Sequence, residues 1–203
     1  KPQKPVIAAM NGLAFGGGNE LAMSCHARLA VAGQRVFCGQ PEPKLGVIPG
    51  YGGTQRLPRW VGLERAWKLL RDGEPIGSAL ALEWGLIREE LPAEELLPRA
   101  LELAKAAAAG DVELAPIPSE AIVEGEVEAL KTGLPEVDLG GLSTAIDAIL
   151  VDATLRGAQG SLDDGLEIEA EAFGRCLDTR DYRIGMKNFL ENGPKVAASF
   201  ENA

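Results

Sequence analysis

Residues 4–23 read KPVIAAMNGLAFGGGNELAM and residues 37–57 read FCGQPEPKLGVIPGYGGTQRL, and these two stretches decide the fold. The apolar run Pro5–Gly12 ends in a turn residue and predicts a short buried strand. Gly16–Gly18 then precede a predicted helix, because apolar side chains follow them at helical spacing. Glu20 would therefore lie in the first turn of this helix, where backbone N–H groups have no partner within the helix.

The second stretch carries another glutamate in a glycine-rich setting. Glu42 is predicted to lie in a Pro/Gly-rich loop after a strand, so that it could face Glu20. Two carboxylates beside free N–H groups are suited to acid/base chemistry with an anion hole. A single glutamate is more commonly a solvated surface charge, and a triple glycine is equally suited to a tight strand-to-helix turn. Spacing alone leaves both alternatives open.

The bulk composition bounds the class of protein. The chain has 203 residues, of which 46% are hydrophobic, and a net charge of −10. These values fit one globular domain, or one domain with an appended subdomain. The charge disfavours nucleic acid and anionic membranes as partners, because both would be repelled. A polyanionic ligand would bind more favourably near the basic segment 54–72 than elsewhere on this acidic chain.

Cysteine and histidine usage restricts the chemistry. Cys25, Cys38 and Cys176 form no CxxC motif, so we expect a reducing cytoplasm and neither a disulfide framework nor a zinc site. The single histidine, His26, argues against a His-rich metal site and a Ser-His-Asp triad within the chain, and no metal is expected. Neither glycine-rich stretch matches GxGxxG or GK[ST], which disfavours a dinucleotide or P-loop site. We expect no membrane span and no signal peptide.

Short strands are predicted in the first half of the chain. Residues 28–32 and 35–38 are predicted to form two strands joined through Gly33-Gln34. The last strand is predicted over 86–90, and no strand is needed after residue 91.

Helices are predicted in most of the remaining chain. Their predicted spans are 54–60, 63–72, 78–84 with Ser78 as a candidate N-cap, 93–109, 143–157, a helix from Ser161 with a capping box at Asp164, and Thr179 to Asn192. The apolar face of the helix after Ser161 would consist of Leu162, Leu166, Ala170, Phe173 and Leu177. The stretch 110–141 is predicted to be a connection with one short helix after Ser119.

The two quoted stretches strongly resemble the crotonase superfamily and, within it, the enoyl-CoA hydratases. The resemblance is specific through about Leu91 and looser in the helical tail. It implies an α/β fold, the crotonase-like spiral of ββα turns. Residues 1–91 would be the C-terminal part of the spiral core with the active-site glutamates, and 92–203 a helical oligomerisation region. The first half of the spiral would precede Lys1, so the chain would be a fragment, or a separate polypeptide would supply the missing N-terminal half.

The resemblance also implies roles for the site residues. Glu20 would activate the water, Glu42 would exchange the proton at the α-carbon, and Gly17 would supply one N–H of the oxyanion hole. The substrate- and water-binding residues that it implies are Gly16, Pro41 and Gly50, the last through its N–H.

The implied activity is the reversible hydration of a 2-enoyl-CoA thioester to a 3-hydroxyacyl-CoA, a hydro-lyase reaction of fatty acid metabolism. The presence of both carboxylates favours hydration over isomerisation, since isomerases of this family typically work with the equivalent of Glu42 alone. Coenzyme A is part of the substrate, so no cofactor is expected. The expected partners are an acyl-CoA and further copies of the chain in a homotrimer or hexamer. The alternatives are enoyl-CoA isomerisation, hydrolysis of a cyclic or β-oxo acyl-CoA, and a non-catalytic assembly subunit.

Overall fold

A computed structural model describes residues 4–203, and Lys1, where the predicted core segment 1–91 begins, lies outside the described residues. Five short strands occur in the described chain: β1 (Ile7–Met10), β2 (Ala14–Phe15), β3 (Ala27–Val31), β4 (Cys38–Gly39) and β5 (Glu89–Leu91). They form two parallel sheets, one with the order β1-β3-β5 and the other pairing β2 with β4. The fold is mixed α/β, as the sequence predicts.

Helices make up most of the rest. They are α1 (Gly17–Met23), α2 (Gly53–Val61), α3 (Leu63–Asp72), α4 (Ser78–Glu83), α5 (Ala93–Ala109), α6 (Val127–Gly133), α7 (Thr144–Ala158), α8 (Leu162–Asp178) and α9 (Arg180–Asn192). A 3₁₀ helix over Glu42–Leu45 replaces the predicted loop around Glu42. The bounds of α5 are as predicted, and α8 begins with the predicted capping box, in which Ser161 and Asp164 bond reciprocally. Within residues 4–203, no strand follows β5.

The two strands predicted on either side of Gly33-Gln34 do not pair with each other, and the second, predicted over 35–38, is confined to Cys38–Gly39. β3 and β4 flank this turn in sequence, yet they belong to different sheets. β3 lies between β1 and β5, whereas β4 pairs in parallel with β2. Parallel partners require a crossover connection, and the chain between β1 and β3 supplies one through α1. Each strand therefore finds its partner across a helix rather than across the adjacent turn.

Two smaller predictions are also corrected. The last strand begins only at Glu89, because the N–H groups of Leu86 and Ile87 bond to the Ala81 carbonyl and finish the turn after α4. Ser78 is the first residue of α4 rather than its N-cap, and its hydroxyl accepts a hydrogen bond from the Gln34 N–H at 3.0 Å. The short helix that is predicted after Ser119 in the connection 110–141 is present as α6, which begins at Val127.

The basic segment 54–72 uses two of its cations, Arg59 and Arg71, inside the fold. Arg59 is 7% exposed and donates to the carbonyl of Gly157 at 2.8 Å, at the end of α7. Arg71 forms a bidentate ion pair with Asp147 of α7, with both N–O distances at 2.7 Å. These contacts hold α2 and α3 against α7. Arg65 and Lys68 stay exposed, so the fold uses only part of the basic charge of this segment.

One large hydrophobic core lies between the sheets and the helices. Among its buried side chains are Met23, Phe37, Ile48, Leu57, Leu70 and Leu150. α7 and α8 pack against each other, and both contact α2. This packing places α8 beside the N-terminal end of α2.

Candidate active site

Glu20 is a buried carboxylate that is held by the loop before α2. It lies in the first turn of α1, is 1% exposed, and accepts hydrogen bonds at Oε1 from the N–H groups of Tyr51 (2.9 Å) and Gly53 (2.7 Å). Burial raises the pKa of Glu20, and the two hydrogen bonds and the charge of Arg56 oppose this rise because they favour the ionised form. Among the described residues, none donates to its second oxygen. Oε2 is therefore the atom that is left to meet a ligand.

Glu42 is a second carboxylate, half-buried as a residue but with one oxygen fully buried, and its surroundings differ from those of Glu20. It is the first residue of the 3₁₀ helix, and its Oε2 is buried without a hydrogen-bond partner in the described part of the chain. Its Oε1 lies so close to Gly16 that a Cβ on that glycine would collide with it. Burial raises the pKa of Glu42 to about 8, and the negative charges of Glu20 and Glu169 add to the rise.

The two environments favour different protonation states. The N–H groups of Tyr51 and Gly53 favour the charged form of Glu20, whereas only its own backbone N–H favours that of Glu42. Burial outweighs this single donor, so Glu42 is favoured in its protonated form at neutral pH. A carboxylate pair that holds one charge and one proton can act as a base and an acid at the same time. This arrangement is the main chemical capability of the site.

The predicted backbone and binding residues lie beside the two carboxylates. Gly17 is the first residue of α1 and is exposed, so its N–H has no acceptor within the helix. Gly50 is also exposed, and a Cβ on it would stand 2.7 Å from the Phe173 ring. Pro41 immediately precedes Glu42 and lines a cavity of about 890 Å³. The site therefore combines two carboxylates with exposed glycine backbone, and Pro41 is the one predicted site residue that lines the cavity.

A third buried glutamate, Glu169 of α8, is missing from the residues that sequence reasoning selected. It is 2% exposed and accepts hydrogen bonds from the Gly52 N–H (2.6 Å) at Oε1 and from the Thr54 N–H (2.9 Å) and hydroxyl at Oε2. Burial raises the pKa of Glu169 to about 7, against the opposing effect of these hydrogen bonds. Glu169 thus holds the same loop that holds Glu20.

The sequence contained a weak signal for Glu169. The buried face of α8 consists of Leu162, Gly165, Glu169, Ala172 and Cys176. The predicted apolar face is wrong at Ala170 and Leu177, which are exposed. The true face is rotated toward the small residues because α8 packs closely against both α7 and α2. A glutamate in the middle of a stripe of small residues was the feature that could have identified it.

Other sequence candidates lie apart from this chemistry. His26 accepts a hydrogen bond at Nδ1 from the Val6 N–H at 3.1 Å, next to the end of α1. Residues 4–203 contain no group of three or more His, Cys, Asp or Glu side chains arranged to hold a metal ion. The same residues include no helix that is both long and apolar enough to cross a membrane. All three cysteines are buried and unpaired with one another.

Comparison with known proteins identifies relatives along most of the chain. A family model described as enoyl-CoA hydratase/isomerase matches residues 1–133. The crotonyl-CoA hydratase of Syntrophomonas wolfei is 39% identical over 93% of this chain and 60% of its own length. The short-chain-enoyl-CoA hydratase of Clostridium acetobutylicum is 36% identical over 93% of this chain and 59% of its own length. The chain thus spans about 60% of the length of these curated relatives.

Solved structures agree with this result. The structure of carnitinyl-CoA hydratase from Mycobacterium avium matches with a TM-score of 0.65 at 26% identity, over 98% of this chain and 64% of that one. An enoyl-CoA hydratase from Mycobacterium avium subsp. paratuberculosis matches with a TM-score of 0.61 at 26% identity, over 95% of this chain and 65% of that one. The arrangement of strands and helices along the chain is therefore similar to that of known acyl-CoA hydratases.

Proposed function

The chain belongs to the enoyl-CoA hydratase/isomerase family, and we propose that the protein hydrates a 2-enoyl-CoA thioester to a 3-hydroxyacyl-CoA. The observation that carries this proposal is that the two carboxylates have unlike surroundings. Glu20 accepts two hydrogen bonds at Oε1, whereas the Oε2 atom of Glu42 is buried without a hydrogen-bond partner among the described residues. Addition of water needs a base for the water and an acid for the α-carbon. The pair supplies both groups at one site.

The two proton transfers of the proposed reaction run through the two carboxylates. Ionised Glu20 takes a proton from water through Oε2 while the water oxygen forms a bond to the β-carbon. The electrons of the double bond move toward the thioester carbonyl, and the resulting enolate takes the proton of Glu42 at its α-carbon. Transfer of one proton from Glu20 back to Glu42 restores the starting state. The reaction consumes one water and leaves the protein unchanged.

Backbone groups complete the proposed site. The Gly17 N–H would hold the enolate oxygen, and one donor of this kind contributes about 3–4 kcal/mol to transition-state stabilisation. The Gly50 N–H would hold the water beside Glu20. Gly16 allows the Glu42 carboxyl group to approach the backbone, because any Cβ there would collide with it. Pro41 would contact the substrate at the edge of the adjacent cavity.

We further propose the crotonase spiral as the finer description of the fold, completed by a segment outside these residues or by a second polypeptide. The chain covers only about 60% of the length of its curated relatives, which supports this proposal.

The helical region 92–203 would contact other subunits of a trimer or hexamer, a role supported by three exposed leucines, Leu97, Leu101 and Leu190. The unpaired cysteines support a cytoplasmic location. Carboxylates perform both proton transfers, so the proposed reaction uses no cofactor besides the coenzyme A of the substrate.

The proposal is tested by incubating the natural protein with short, long and cyclic 2-enoyl-CoA thioesters. Loss of the ultraviolet absorbance of the conjugated thioester reports hydration, and product analysis identifies the 3-hydroxyacyl-CoA. Glu20→Gln and Glu42→Gln should each lower turnover by about 100- to 10,000-fold and retain thioester binding. Near-normal turnover of either variant would contradict the role given to that residue. A product with a shifted double bond would indicate an isomerase. Binding of the thioester without turnover would indicate a non-catalytic assembly subunit.

A further inference from the structure

The loop Gly50–Thr54, which includes the first two residues of α2, is held by two carboxylates that accept hydrogen bonds from alternate N–H groups. Glu20 accepts from residues 51 and 53, and Glu169 accepts from residues 52 and 54. The hydroxyl of Thr54 also donates to Glu169. These four N–H groups belong to consecutive residues. A movement of the loop away from Glu169 would therefore also move the loop relative to Glu20.

α8 contacts the same loop along one face. Leu166, Glu169 and Phe173 follow each other at helical spacing on this face. The Leu166 Cδ2 atom lies 3.0 Å from the position of a Cβ built on Gly52, and the Phe173 Cδ2 atom lies 2.7 Å from one built on Gly50. Glycines at these two positions therefore allow the close approach of helix and loop. Glu169 is the hydrogen-bonding member at the centre of this contact.

The bonds to Glu169 also matter for the free oxygen of Glu20. Without Glu169, the N–H groups of Gly52 and Thr54 would need another acceptor, since buried donors are costly to leave unpaired. Glu20 is the carboxylate that already bonds to their neighbours along the loop. A third or fourth donor at Glu20 would engage Oε2, which is the oxygen that the proposed reaction needs for the water.

We propose that Glu169 is a positioning residue, which fixes the loop Gly50–Thr54 so that Glu20 keeps Oε2 free and the Gly50 N–H stays beside the water. This inference rests on the proposed hydration activity. It gives α8 a part in the chemistry, in addition to the contacts between subunits that are proposed for the region 92–203.

The test compares kcat and KM of the natural protein with those of Glu169→Gln. Glutamine has the same size, but its NH₂ group would face one of the loop donors in either orientation of the amide. We expect kcat to fall about 10- to 100-fold while KM stays within about threefold, because a small displacement of a catalytic group costs this much. Glu169→Asp keeps two acceptor oxygens on a side chain that is one methylene shorter, and it should retain more kcat than Glu169→Gln.

Two matched variants separate positioning from general stability. Glu171→Gln removes an exposed carboxylate of the same helix and should leave kcat and KM unchanged. Asp147→Asn breaks the ion pair with Arg71, away from the loop, and should lower the melting temperature without lowering kcat in the folded protein. If Glu169→Gln fails to fold, Thr54→Val and Thr54→Ser replace it, since only the valine removes the hydroxyl that bonds to Glu169.

The outcomes distinguish this inference from the proposed function. A wild-type protein that does not hydrate enoyl thioesters overturns the proposed function. With an active wild type, an unchanged kcat in Glu169→Gln, or a raised KM with unchanged kcat, overturns the positioning role. In the second pair of variants, a kcat for Thr54→Val several-fold below that of Thr54→Ser supports the role, and equal values overturn it.

Discussion

Replacing Glu42 by glutamine should remove hydration activity and stabilise the folded protein at alkaline pH. The pKa of Glu42 is about 8 in the folded protein, against an ordinary value of 4.5. At a pH between these two pKa values, Glu42 holds a proton in the folded state that it has lost in the unfolded chain. The stability that depends on this proton is complete below the unfolded pKa and is lost as the pH rises through the folded pKa.

The size of this effect follows from the raised pKa. From about pH 5 to about pH 9, the difference in bound protons corresponds to about 4 kcal/mol of unfolding free energy, at about 1.4 kcal/mol per pKa unit. Glutamine does not titrate, so the Glu42→Gln variant avoids this loss. The other buried carboxylates, Glu20 and Glu169, remain in both proteins, so their contributions largely cancel in the comparison.

Urea denaturation at the two pH values measures the prediction directly. The unfolding free energy of Glu42→Gln relative to wild type should increase by about 4 kcal/mol between about pH 5 and about pH 9. Glu171→Gln, which removes an exposed carboxylate, should follow the wild type at both pH values. Parallel pH dependence of Glu42→Gln and wild type would refute the claim that burial holds a proton on Glu42.

Two further substitutions test the packing around the site. Gly53→Ala should lower kcat by about 100-fold, because the added Cβ would stand 2.7 Å from Glu20 Oε1 and overlap the Gln40 amide. Gly174→Ala, where a Cβ meets nothing within 4 Å, should keep wild-type kcat, and equal kcat values in the two variants would contradict the reasoning. Arg59→Ala should lower the unfolding free energy by about 3 kcal/mol in urea denaturation, since it leaves buried carbonyls unpaired, and an unchanged midpoint would oppose this.

Features that depend on near neighbours could be predicted from the sequence. The capping box of Ser161 and Asp164 involves residues three positions apart, and the triple glycine acts directly on the helix that follows it. The position of Glu20 in the first turn of α1 follows from that glycine run. Such signals are local because caps and turns involve only three or four successive residues.

Contacts between distant segments could not be predicted in the same way. The partner of β4 is β2, which is separated from it by α1 and β3. Glu169 bonds to Thr54 across 115 residues, and no local pattern specifies that contact. The burial of Glu42, which raises its pKa, likewise depends on how the helices pack. The role of each carboxylate therefore required the tertiary structure as well as the resemblance.

Exchange of the α-hydrogen of a saturated acyl-CoA with deuterium from D₂O tests the division of roles most directly. This exchange is followed by NMR above the Glu42 pKa of about 8, where Glu42 is ionised and can remove the α-hydrogen. It isolates the step assigned to Glu42, because no water is added to the substrate. We predict that Glu20→Gln exchanges the α-hydrogen at nearly the rate of the wild-type protein, whereas Glu42→Gln does not exchange it. Wild-type exchange by Glu42→Gln, or loss of exchange in Glu20→Gln alone, would contradict the assignment of Glu20 to the water and Glu42 to the α-carbon.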